Sequence, residues 1–169
     1  MTSSSLFIGR FQPFHNGHLF VLTQCATSHV IIGVGSSQYH HSEKNPFTYE
    51  ERKTMISKVL SKELDITFDI YPVPDIHDPP HWVDHVASIV PSFTTVLTNN
   101  EFTAELFEKK GYSVTKPGVY NRKEHMGKEI RQRMIQDKPW KHLVPDVVAS
   151  YLSTLDAATR LKTIDKQSK

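Results

Sequence analysis

Cysteine is nearly absent from this chain of 169 residues, with Cys25 the only one. One thiol excludes an intramolecular disulfide and a cysteine-rich zinc site, and it fits a reducing compartment. Long apolar runs are missing too. No stretch approaches the ~20 residues that cross a bilayer, and the opening Met-Thr-Ser-Ser-Ser-Leu has no basic segment followed by an apolar one. The expectation is a cytoplasmic protein with neither secretory leader nor membrane contact. Charge of one sign is also scarce. The formal net charge of +2 is too small for a polybasic nucleic-acid binder, so any basic site must be local. Repeats, low-complexity tracts and a domain linker are lacking as well. With 38% hydrophobic residues, the length predicts one domain over residues 1–169, large enough for a sizeable core. Histidine, by contrast, is plentiful. If several of the 10 imidazoles share a cleft, its charge will change near neutral pH.

Apolar runs alternate with helical periodicity. Strands are predicted at 6–9, 30–35, 66–73, 94–97 and 112–115. Helices are predicted at 15–26, from 48 to about 60, and at 82–90, 101–110, 128–136 and 145–155. Thr48 and Glu51 have the spacing of a capping box. Gly111 reads as a left-handed helix stop. The polar tail after Thr159 is expected to fray. Strand–helix alternation predicts an α/β fold: a parallel sheet of about five strands with helices on both faces. Ligands of such sheets bind beyond the carboxyl ends of the strands. That directs attention to the loops at 9–18, 35–47, 74–82, 98–100 and 117–131.

The first of these loops is the most informative. Gly9-Arg10-Phe11-Gln12-Pro13-Phe14-His15-Asn16-Gly17-His18 carries a strand into a helix start. Two imidazoles three residues apart can point the same way. Helix N-terminal N–H groups welcome an anion there. Gly17 lets a flat base approach the backbone, and Pro13 stiffens the loop. The pattern points to a nucleotide-phosphate site. Two other readings of the histidines stand beside it: surface residues, or zinc ligands completed by His40 or His41.

Gly9–His18 resembles the HxGH motif of the nucleotidyltransferase superfamily. Its fuller wording, Ile8 through His18, is similar to one branch, the archaeal-type nicotinamide-nucleotide (NMN) adenylyltransferases. Other branches usually carry a triplet such as Thr-Phe-Asp where this chain has Arg10-Phe11-Gln12. The likeness extends through residues 33–38, Asn45-Pro46-Phe47-Thr48 with Glu51-Arg52, Asp75-Ile76 with Trp82-Val83, and residues 107–112. It continues through Asn121-Arg122-Lys123-Glu124, Glu129-Ile130-Arg131 and His142-Leu143-Val144-Pro145. The resemblance implies a Rossmann-like nucleotidyltransferase fold and a transfer of the adenylyl group of ATP to NMN, giving NAD and pyrophosphate. It implies Mg²⁺ or another divalent cation carried by the ATP phosphates rather than by protein ligands, and a homo-oligomer, commonly a hexamer.

The resemblance also implies roles. His15, His18 and Arg131 would be catalytic. The ATP site would add Gly9, Arg10, Phe11, Gly17, Arg122, Lys128 and Ile130. Arg52, Asp75, Ile76 and Trp82 would receive NMN, with the Trp82 face on the cationic pyridinium. The absence of a serine–histidine–aspartate set or a carboxylate pair is no objection. The nucleophile would be the NMN 5′-phosphate, whose second pKa is about 6 and which needs no general base.

Two segments depart from the family wording. Met126-Gly127-Lys128 stands where relatives usually carry Ser-Gly-Thr, so two hydroxyls that cap N–H groups and touch phosphate are gone. Lys128 either supplies a substitute phosphate contact or lies in solvent. Pro79-Pro80 stands where relatives commonly have polar residues, leaving His77 or Asp78 for the nicotinamide amide. Two alternatives to the main reading remain: a related nucleotidyltransferase with another acceptor, such as phosphopantetheine or glycerol phosphate, and a non-catalytic nucleotide-binding homologue. The choice between NMN and nicotinic acid mononucleotide is open.

Overall fold

The computed structural model describes residues 3–118 and 126–169. Five parallel strands form one sheet: β1 (Ser4–Gly9), β2 (His29–Gly35), β3 (Thr67–Val73), β4 (Thr95–Leu97) and β5 (Ser113–Thr115), in the order β3-β2-β1-β4-β5. The order reverses between β1 and β4. Their two loops diverge there, opening a crevice at the carboxyl edge.

Alternation along each strand divides the core in two. Leu6 and Ile31 point to one face, where they meet Val83, Val86, Phe93 and Phe107. Phe7, Val30, Ile32 and Val34 point to the other, where Val21, Leu22, Met55, Ile56 and Val59 cover them. The helices follow suit. Helices α3 (Pro79–Ile89) and α4 (Glu101–Lys109) supply the first face. Helices α1 (Asn16–Thr23), α2 (Tyr49–Glu63), α5 (Gly127–Ile135), α6 (Asp146–Thr154) and α7 (Ala157–Gln167) supply the second. Both sheet faces are buried, as near-continuous apolar strands require.

Two expectations are corrected and one element is added. The tail after Thr159 is not frayed. It lies in α7, which buries Ala157, Leu161 and Ile164 against the second core. Thr159, Thr163, Lys166 and Gln167 are exposed, which made a packed amphipathic helix read as a polar end. Helix α3 starts at Pro79 rather than at Trp82, because prolines fit the first helical positions, where no intrahelical N–H bond is needed. A short 3₁₀ turn, Lys141–Leu143, was not expected from the sequence. The capping box at Thr48 is present in full: Thr48 Oγ1 accepts from Glu51 N–H at 3.1 Å, and Glu51 accepts from Thr48 N–H at 3.0 Å.

Candidate active site

Local backbone geometry builds the site. In the loop after β1, Phe11 adopts a left-handed conformation with φ of 52°. A bulky residue pays for that conformation, of order 1–3 kcal/mol. Burial at 1% exposure, against Phe7 and Phe14, holds it there. The Phe11 ring lies so close to Gly9 that a Cβ on Gly9 would come within 3.1 Å of it. The turn then delivers His15 as the N-cap of α1.

The two histidines cap each other's turn. His15 Nδ1 accepts the Gly17 N–H at 3.1 Å, and His18 Nδ1 accepts the His15 N–H at 3.1 Å. An imidazole that accepts at Nδ1 carries its proton at Nε2 when neutral. The rings stack with centroids 3.7 Å apart. His18 also packs against Phe11 and Phe14. Burial, and secondarily the proximity of His15, pushes the His18 pKa well below the ordinary histidine value. At neutral pH His18 is thus an uncharged Nε2–H donor.

These residues divide two adjoining clefts. One, of about 340 Å³, lies between Ile8, Gly9 and His18 on the β1 side and Thr98, Asn99 and Asn100 on the β4 side, at the switch point of the sheet. The other, of about 210 Å³, is lined by Arg10, Phe11, His15, His18, Lys128 and Arg131. His15, His18, Met126 and Gly127 border both. Arg131 is buried at 8% exposure, and its Nη1 donates to the Gln12 carbonyl at 2.8 Å. Burial first, and then Arg10, lowers its pKa to about 10, so it is a cation at neutral pH. Ile130 packs in the core under this helix start. Met126 is the N-cap of α5 and makes no side-chain cap bond. Lys128 is exposed and stands at the cleft rim. Arg122 lies outside the described residues, as does the rest of its motif.

A third cleft, of about 280 Å³, lies beyond β3, between Asp75, Ile76, Asp78, Trp82, Phe102 and Leu106. It is mostly apolar. Trp82 meets Phe107 edge-on, which fixes the indole at the cleft wall. Asp75 accepts from Ser36 Oγ at 2.7 Å. His77 shares a hydrogen bond of 2.9 Å with the Tyr39 hydroxyl, and Asp78 pairs with His81 at 2.8 Å.

Arg52 is the residue whose place differs most from expectation. A direct contact with the NMN phosphate needs an accessible guanidinium, yet Arg52 is 0% exposed. It donates to the carbonyls of Thr48, Arg10, Gly35 and Ser36 at 2.8–3.2 Å. Four of its five N–H groups are thus committed to backbone, and it ties the loops after β1 and β2 to the start of α2. Burial, then Arg10, lowers its pKa to about 10.

The structure therefore brings together Gly9, Arg10, Phe11, His15, Gly17, His18, Lys128 and Arg131, and groups Asp75, Ile76 and Trp82 in the neighbouring cleft. Among the described residues no three of His, Cys, Asp and Glu gather as metal ligands. Likewise, no helix there is long and apolar enough to cross a membrane. Sequence reasoning missed Thr98, Asn99, Phe102 and Leu106, although the loop at 98–100 was marked by its place after a strand. It also gave Gln12 no role of its own, although the triplet Arg10-Phe11-Gln12 marked the branch.

A cytidylyltransferase-like family model matches residues 6–133. The nicotinamide-nucleotide adenylyltransferase of Methanococcus aeolicus is 43% identical over 163 residues, spanning 95% of this chain and 94% of its own. That of Picrophilus torridus is 41% identical over 161 residues, spanning 94% and 95%. Among solved structures, a bifunctional NMN adenylyltransferase/ADP-ribose pyrophosphatase from Francisella tularensis superposes with a TM-score of 0.80 at 23% identity, over 99% of this chain and 54% of that one. The same protein complexed with AMP and a manganese ion gives 0.77 at 24% identity, over 97% and 52%. This chain thus spans about half the length of those two structures, and at such identity they speak for the fold alone. With the family model covering most of the chain and the two archaeal relatives matching nearly all of it, the chain belongs to the nicotinamide-nucleotide adenylyltransferases of the cytidylyltransferase-like family.

Proposed function

We propose that this protein transfers the adenylyl group of ATP to nicotinamide mononucleotide, forming NAD and releasing pyrophosphate. The observation that carries the reading is the presence of a donor-lined phosphate cleft and a tryptophan-walled apolar one along the same sheet edge. In this reading ATP enters at the switch point, with adenosine between Gly9 and the residues after β4 and with its phosphates toward His15, His18, Arg10 and Arg131. The Nε2–H of His18 donates to the α-phosphate, where charge builds as the NMN phosphate attacks in line. Arg131 clamps the leaving pyrophosphate with its planar fork. Lys128, at the rim, supplies a further cation to the outer phosphates in place of the lost hydroxyls. Arg122 is the remaining ATP contact that the family wording suggests.

The nicotinamide ring lies against Trp82, beside Asp75 and Ile76. Arg52 serves NMN as a buried cation that sets the loops, not as a direct ligand. The phosphate cleft presents N–H donors and cations, a poor set for Mg²⁺, which seeks oxygen ligands. Mg²⁺ would be held by the triphosphate and would neutralise charge on the departing pyrophosphate. A cytoplasmic homo-oligomer acting as one catalytic domain completes the reading, and light scattering on the purified chain would measure the assembly.

The test is direct. Purified protein with ATP, Mg²⁺ and NMN should form NAD, and His18→Ala should nearly abolish it. Binding of ATP without turnover would overturn the reading. Turnover with phosphopantetheine or glycerol phosphate but not with NMN would replace the acceptor.

A further inference from the structure

Gln12 occupies a position that no role assigned above uses. It is buried at 3% exposure in the loop after β1. Its side-chain amide makes two reciprocal bonds to one backbone unit of the loop after β2: Nε2 donates to the Phe47 carbonyl at 3.1 Å, and Oε1 accepts the Phe47 N–H at 3.0 Å. Its own carbonyl accepts Arg131 Nη1 at 2.8 Å. One residue therefore links the loop that leads to the two histidines, the segment that leads into Arg52, and the arginine facing the phosphates.

Two other side-chain amides act in the same way. Gln38 holds both the N–H and the C=O of Asp75, joining the loops after β2 and β3. Asn99 holds both groups of Gly118, joining the loops after β4 and β5. Each imitates a ladder pair between two loops at the carboxyl edge of the sheet. Of the three, only Gln12 is buried and also bonded to a side chain of the phosphate cleft.

We propose that Gln12 is a positioning residue for adenylyl transfer: its amide fastens the acceptor-side loop to the ATP-side loop, and its carbonyl thereby sets Arg131. This rests on the function proposed above. The chemistry requires an amide of this length. Glutamate keeps the shape and the acceptor but loses the donor to Phe47. Methionine keeps the length and loses both bonds.

The test is a double-mutant cycle on the full chain, with steady-state NAD formation from ATP, Mg²⁺ and NMN. Gln12→Met is expected to lower kcat by about tenfold or more and to raise KM for both substrates, because small displacements at a reacting centre are costly. In an Arg131→Lys background the same change is expected to cost less than about threefold, since the two residues act as one unit. A purely structural Gln12 would lower the melting temperature but leave kcat of the folded protein intact. An unchanged kcat, or an equal loss in both backgrounds, overturns the proposal. Should Gln12→Met fail to fold, the isosteric Gln12→Glu carries the same cycle. If wild-type protein forms no NAD, the proposed reaction fails. The cycle read as ATP affinity by calorimetry then still tells whether Gln12 sets Arg131.

Discussion

Both imidazoles of the histidine pair spend Nδ1 on a backbone N–H, and that fixes what they can do. His18, held neutral by burial, is left with Nε2–H as its donor, so in the proposed reaction its contact with phosphate does not wait for protonation. The depressed His18 pKa carries a stability consequence with a definite sign. The unfolded chain takes up this proton at the ordinary value of about 6.5, while the folded chain resists it. Stability from this group is complete above that value and is lost as pH falls below it, toward the folded pKa. Wild-type protein should therefore lose melting temperature between about pH 7.5 and about pH 5.5, and His18→Gln should lose less. Gly127 gives a second prediction. A Cβ there would sit 2.9 Å from Arg131 Nη1 and 3.1 Å from the Gln12 carbonyl. Gly127→Ala should displace Arg131 and raise KM for ATP by about tenfold while the protein stays folded, as steady-state kinetics beside circular dichroism would show. At this scale the sequence revealed the histidine pair because the motif is local. It hid the burial of Arg52, because four carbonyl acceptors from separate loops converge only in the fold.

Helices show a similar division. The Thr48 capping box was readable because both partners lie within one turn, whereas α7 was misread because its value lies in distant contacts. Arg160 on α7 grips Glu51 with both ends of its fork, at 2.7 and 2.8 Å, and also donates to the Pro46 carbonyl at 3.3 Å. Burial alone would raise the Glu51 pKa, but hydrogen bonds from Arg160 and Thr48 and the Arg160 charge bring it below the usual value. The guanidinium also lies 5.7 Å from the centre of the Phe47 ring. The C-terminal helix thus braces the segment that Gln12 holds from the other side. Arg160→Ala should cost about 2 kcal/mol in chemical denaturation, the scale of a hydrogen bond to a charged group, and should also raise KM for NMN. A loss confined to stability would show that the brace stops short of the site.

Across the whole molecule, the sheet order decides where the clefts open. Strand–helix alternation implied a parallel sheet, but its order, with the reversal between β1 and β4, depends on which long-range pairs form. The three clefts follow the carboxyl edge from the switch point to the loop after β3. Separate clefts predict separable kinetics. Trp82→Ala should raise KM for NMN by about tenfold and change KM for ATP by less than about twofold. Equal effects on both substrates would place Trp82 in a structural role. The amide clamps have another consequence, one of durability. Their geometry is maintained by uncharged groups, so added salt should leave it intact. Side-chain amides are, however, among the thermolabile groups of proteins. Hydrolysis at Gln12, Gln38 or Asn99 would turn a donor into a carboxylate and break half a clamp with no change in sequence length or fold. Protein aged by warm storage should lose substrate affinity before it loses structure, with the lesion readable by peptide mass spectrometry at those three positions.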